Sequence, residues 1–236
     1  MNNRRFLGLL AIVYLALWVV LAISPNNRHD WMLENVLVVI ASITLVMTYR
    51  TFPLSRISYS LLFLFLCLHS IGAHYTYSEV PYREWMLTLG LDVTMDGRNH
   101  FDRLVHFLYG LLLAYPIREV FIRIATVRGF WGYFLPLDLT MSTSMLYELI
   151  EWGVAEWFGE GLGALYLGTQ GDVWDAHKDM GLASLGALIA MCITASINYV
   201  IQRDFATEWA QSLRVKGSEP LGEQEIRRLL RDRRAR

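Results

Sequence analysis

DVWDAHKDMGLASLGALIAMCITASINYVI, running from Asp172 to Ile201, joins two chemistries that rarely sit side by side. From Gly181 onward it carries no charged side chain, and about 20 such residues form a helix able to cross a hydrocarbon core about 30 Å thick. Before that, Asp172, Asp175, Asp179, His177 and Lys178 crowd the mouth of the same helix. A bilayer interior offers no water to solvate ionised groups, so such residues persist only when they pair, bind an ion or face a wet cavity. The stretch therefore predicts a membrane helix with a polar site at one end.

Working outward, the chain has 236 residues, of which 54% are hydrophobic and 18% charged, a balance too apolar for an ordinary soluble domain. Six stretches are long enough to span, near Phe6 to Ser24, Trp31 to Thr48, Ile57 to Tyr77, His100 to Ile122, Phe130 to Phe158 and His177 to Ile201. The expected fold is all-α, a polytopic bundle of six transmembrane helices over residues 1–201, followed by a charged cytoplasmic tail over 202–236. Arginine placement sets the expected orientation. Arg4 and Arg5 precede span one, Arg50 and Arg56 separate spans two and three, and Arg118, Arg123 and Arg128 follow span four. Basic residues are retained on the cytoplasmic side, which puts both termini there. The opposite loops hold Asp30, Glu79, Glu84, Asp92, Asp96, Glu156 and Glu160, as an external face would.

The first apolar run is longer than a usual signal-peptide core, and Pro25 follows it closely, so it reads as a retained helix. Cys67 and Cys192 fall inside spans and behave as small apolar groups. The tail ends in Glu223 to Arg236, read as a segment lying on anionic lipid, a solvated helix or a disordered tail. No basic patch with interleaved aromatics points to nucleic acid, and no P-loop, dinucleotide fingerprint, His-Glu-x-x-His or nucleophile elbow is present.

Helical spacing gathers the ionisable residues at one depth. Asn99, Asp102, Arg103, His106 and Gly110 share a face of span four, while Ser144, Glu148, Glu151 and Trp152 follow each other at three- and four-residue steps on span five. Asp172, Asp175 and Asp179 open span six, continued by Ala183 and Gly186, whose small side chains permit close helix approach. Span three ends with Ser70, His74 and Tyr77 on one face. His69 lies on another and is left out. Glu34, early in span two, either snorkels to the surface or joins the group. A shared cavity on the external side is the economical arrangement. It holds six acids against Arg98, Arg103 and Lys178, and protonation or a bound cation must offset part of the surplus.

Three motifs carry a resemblance: RNHFDRLVHF from Arg98, YELIEW from Tyr147 and QGDVWDAHKDM from Gln170. In this order they resemble the bacterial YjdF-like inner-membrane family of unknown function, over roughly the first 200 residues. That resemblance implies a multi-pass protein of the bacterial inner membrane. More distantly, Asp102-Arg103-Leu104-Val105-His106, then Glu148 or Glu151, then Asp172 with Asp175, is similar to VanZ-like membrane proteins, which are associated with glycopeptide resistance. Asp179 stands near the place where that pattern has an asparagine.

Three functions suit the predicted site. In the first, an enzyme, Asp102, His106, Glu148, Glu151 and Asp175 do the catalysis. Asp102, His106, Glu148, Asp172, Asp175 and Asp179 are then candidate ligands for a divalent metal. Arg98, Arg103, Lys178 and His74 would hold a lipid-linked or envelope substrate, and the loop carrying Gly159, Gly161, Gly163, Gly168 and Gly171 with Leu162, Leu165, Tyr166 and Leu167 would meet the membrane lipid. In the second, a proton or cation transporter, the same acids conduct. In the third, they form a structural network without a ligand.

Overall fold

The computed structural model of the protein describes residues 2–91, 97–159, 163, 167–216 and 222–234. Asp92, Asp96, Glu160, Gly161, Leu162, Leu165 and Tyr166, to which the sequence points in two external loops, lie outside the described residues. Among the described residues the secondary structure is helical throughout. The helices are α1 (Asn3–Leu21), α2 (Arg28–Thr48), α3 (Arg56–His74), the short α4 (Tyr82–Thr88), α5 (Phe101–Ile124), α6 (Trp131–Phe158), α7 (Asp175–Ile201), α8 (Phe205–Ser212) and α9 (Glu223–Arg234).

Several boundaries follow from side chains that cap free amides. Asn27 Oδ1 accepts from the amides of His29 and Asp30, and Ser55 Oγ accepts from that of Ser58, so α2 and α3 start at defined points. Asn27 thereby starts α2 three residues before the expected Trp31 and draws Asp30 out of the predicted loop into the bundle.

Helices α1, α2, α3, α5 and α7 are long and apolar enough to cross a membrane. With 28 residues α6 has the length, but Asp138, Glu148, Glu151 and Glu156 dilute its apolar character and it is not among the five. It nevertheless packs against both α5 and α7 as an integral member of the bundle.

At the centre is α5, which contacts α3, α6 and, most extensively, α7; α1 and α2 lean on α3. Lipid tails are as apolar as a leucine side chain, so helix association in a membrane relies on close backbone approach at small residues. The fully covered positions fit this: Ala73, Ala114, Ala183 and Ala187 with Ser58, Ser70, Thr140 and Ser144. The tightest seam is reciprocal. A Cβ on Gly110 would collide with the Ala183 carbonyl and the Ala187 amide, and one on Gly186 with the Phe107 carbonyl and the Leu111 amide. Large apolar side chains such as Ile12, Val20, Val46, Met47 and Val200 stand exposed on the perimeter, the inverse of a soluble fold.

Helices α2, α5 and α7 begin at the end of the bundle where α3 and α6 finish, and this end carries the acids. At the opposite end α8 folds back onto the bundle instead of trailing away. Trp209 lies 5.5 Å from Phe130 and 5.7 Å from Tyr133, ring centre to ring centre, and Ser212 Oγ accepts from the Phe130 amide at 3.0 Å. Part of the segment expected as a tail is thus packed against the helices.

Candidate functional site

The acidic end has two layers, and the difference between them is charge pairing. In the outer layer every base is engaged. Arg98 pairs with Asp175 and donates to the Thr169 carbonyl; Arg103 pairs with Asp172 and lies 3.6 Å from Asp175; Lys178 Nζ lies 2.6 Å from Asp172. Asn99 and Gln170 add a reciprocal pair, the Asn99 amide donating to Gln170 Oε1 at 2.8 Å and Gln170 Nε2 to the Asn99 carbonyl at 3.1 Å. These contacts clip the loop before α7 to the start of α5. They also show that Arg98, Arg103 and Lys178, expected to hold substrate, already have carboxylate partners.

Asp172 lies ahead of the membrane helix, and its carboxyl is lowered from the ordinary 3.8 to about 2. The hydrogen bond from Lys178 contributes most, followed by the Trp174 amide; Arg103 adds to it. A folded value below the unfolded one means that the clip gains from ionised Asp172 above about 3.8 and loses that gain as pH falls through about 2. Lys178→Ala is expected to leave hydrogen exchange at the Trp174 amide unchanged at pH 7 and to move its acid loss of protection upward. An unshifted acid profile would show that Lys178 does not hold the clip.

Beneath the clip lies a layer whose acids form no lysine or arginine ion pair among the described residues. Asp102 and His106, one turn apart on α5, meet Asp179 from α7, and one ligand atom from each lies within 4.8 Å of the others. His106 Nε2 is 3.5 Å from Asp102 Oδ1 and 3.6 Å from Glu148 Oε1. Glu148 and Glu151 are neighbours side chain to side chain. Among the described residues, Asp102, Glu148, Glu151 and Asp179 form no ion pair with a lysine or arginine. Asp179, only 2% exposed, and Glu148 each keep a buried oxygen that accepts no hydrogen bond. Carboxyl oxygens stripped of water and of donors are costly unless something positive meets them.

Helices α2 and α3 complete the layer, with a set of residues that only partly matches the expected one. Chain direction reverses just after α3, where Thr76 and Tyr77 take positive φ angles of 52° and 46°, and Tyr77 folds back so that its hydroxyl lies 2.6 Å from His69 Nδ1. His69 Nε2 lies 3.1 Å from the Glu34 carbonyl oxygen, and Glu34 Oε2 accepts from the Tyr147 hydroxyl at 3.0 Å. His69, excluded on helical spacing, therefore belongs to the site. His74 does not; its Nδ1 lies 2.7 Å from the Leu21 carbonyl oxygen, tying α3 to the end of α1. Glu34 joins the group instead of snorkelling, and Asp30 is buried nearby on the same helix with an unpartnered Oδ1. The i, i+4 relation of Asp30 and Glu34 was the available sequence signal.

Fold and site together define a polytopic helical membrane protein with a buried cluster of acids and histidines at one end. Residues 6–199 match the family described as Predicted membrane protein (DUF2238), and the chain belongs to that family. It is similar to the inner membrane protein YjdF of Escherichia coli (strain K12), 39% identical over 178 residues that make up 73% of this chain and 81% of that relative. No solved structure matches the chain. The protein is a multi-pass protein of the bacterial inner membrane, in a family of unknown function.

Proposed function

We propose that the protein is a divalent-cation-dependent hydrolase or transferase acting on the headgroup of a lipid-linked substrate. The observation behind this reading is the inner layer, where Asp102, Glu148, Glu151 and Asp179 converge with His106 and form no ion pair with a lysine or arginine among the described residues. Two carboxylates and an imidazole suit magnesium, manganese or zinc, and leave positions for water and a phosphoryl oxygen. Asp102, His106 and Asp179 would be the ligands. Glu148, beside His106, would accept a proton from the attacking water, and Glu151 would return one to the leaving oxygen. The clip formed by Arg98, Arg103, Asp172 and Asp175 would cover the layer and hold α7 in register with α5.

In this reading α6 is the sixth crossing, both termini are cytoplasmic and the site faces the external side. A transport path would require polar groups continuing toward the opposite end. The cavity next to the inner layer is instead walled there by Leu45, Leu62, Leu66 and Leu113.

The test uses the full chain in lipid nanodiscs prepared from total bacterial envelope lipid. Elemental analysis is expected to find a divalent cation, and mass spectrometry a change in lipid headgroups that chelator abolishes and Asp102→Asn lacks. No cation together with unaltered headgroups would overturn the proposal. Ion flux into proteoliposomes that Asp102→Asn stops would assign the acids to transport.

A further inference from the structure

We infer that the cavity among α2, α3, α5 and α6 holds one fatty-acyl chain of a phospholipid, entered sideways from the bilayer. The inference rests on the proposed headgroup chemistry only for where it puts the phosphate. The cavity has a volume of about 330 Å³, and its wall changes character along its length. Asp102, His106 and His69 line one end, while Ala41, Leu45, Leu62, Leu66 and Leu113 line the rest. Thr143 and Tyr109, midway, bond to each other at 2.6 Å and ask nothing polar of an occupant. A hydrocarbon chain suits such a wall, and the surrounding membrane supplies one.

Two further features identify the occupant. The first is a lateral opening. Helix α2 is held mainly by α3, its edge toward α6 is bridged by the Tyr147 to Glu34 hydrogen bond, and the rim residues Leu37, Leu146 and Ile150 are exposed on the lipid-facing side. A chain can enter there without a headgroup crossing the bundle. The second is Ser144. It lines the cavity, is 2% exposed, and its Oγ has no hydrogen-bond partner. It lies four residues inward of Glu148, about 6 Å along the axis. With a phosphate at Asp102, His106 and Asp179, the ester carbonyl of an acyl lipid would fall near this hydroxyl. A hydroxyl that can donate there favours an acyl ester over a prenyl chain, which has no carbonyl to accept.

The probe is a single-chain lysophosphatidic acid carrying a diazirine near its chain terminus, added to the full-length protein in nanodiscs and photolysed. Crosslinks are expected on the peptides holding Leu45, Leu62 and Leu113. Ala41→Trp, which fills the cavity, should remove most of them, and Ser144→Ala should weaken retention about fivefold. Crosslinks spread evenly over perimeter residues such as Ile12 and Val20 would overturn the inference, and this map from the native protein decides even if Ala41→Trp fails to fold. Labelling that survives in folded Ala41→Trp would overturn it as well. Cation content measured on the same samples separates the two proposals: cavity labelling without a cation upholds the chain site and removes the metal chemistry, and a cation without cavity labelling does the reverse.

Discussion

Gly110→Val is expected to leave no monodisperse bundle in mild detergent, whereas Gly181→Ala on the same seam's second helix should purify and melt like the native protein. The difference lies in what a new side chain meets. At Gly110 a Cβ runs into the carbonyl of Ala183 and the amide of Ala187, which are backbone atoms and cannot rotate aside; at Gly181 nothing lies within 4 Å. Gly186 presents the same problem against Phe107 and Leu111, so α5 and α7 interlock from both sides. Relief requires the helices to separate along their most extensive contact, exposing Ala183 and Ala187, which are fully covered. Overpacking by a few methyl groups in a yielding core costs roughly 1 to 3 kcal/mol, and a backbone collision at such a seam should exceed that. Size-exclusion chromatography and thermal melting check it. A Gly110→Val protein that elutes and melts as the native one does would show that the seam is looser than described.

His106→Ala is expected to weaken divalent-cation binding by more than about 100-fold, since losing a direct ligand should exceed the 10- to 100-fold typical of outer-shell changes. Asp179→Asn should do the same while barely altering size. Binding is followed by calorimetric titration with manganese after chelator treatment. The accompanying stability change has a sign that separates ligand site from structural network. If the inner acids were buried salt-bridge partners, removing one would cost about 3 to 5 kcal/mol. None of them forms an ion pair with a lysine or arginine among the described residues, so the metal-free Asp179→Asn protein should melt higher than the metal-free native protein, because one repelling carboxylate is gone. Native protein that takes up no manganese, or an Asp179→Asn variant that melts lower without metal, would refute the ligand assignment.

Much of this arrangement was legible in the sequence because two periodicities coincide. Apolar runs of membrane-spanning length mark the helices, and i, i+3 and i+4 spacing put Asp102 with His106 and Asp175 with Asp179 on inward faces. Small residues at Gly110, Ala183 and Gly186 marked the seam, and there the backbones meet. What escaped depends on chain reversals and on choices among partners. Periodicity favoured His74 over His69 because it extended α3 through Tyr77; the positive φ at Thr76 and Tyr77 ends the helix and swings the tyrosine back onto His69. Asp30 resembled a loop residue, and Glu34 stayed open between snorkelling and joining the group, because the earlier helix start rests on the cap of one side chain, Asn27. Nor can composition tell a base reserved for substrate from one already committed to Asp172 or Asp175.

The glycine seam has one more consequence. Asp102 and His106 stand two turns and one turn above Gly110 on α5, and Asp179 one turn above Ala183 on α7, so the gap between the two helices that carry the proposed ligands is fixed by backbone touching backbone. A site held apart by flexible side chains adapts to whatever ion arrives. One whose walls are locked at a glycine cannot, and here selection by ionic radius would be written into the helix spacing more than into the ligands themselves.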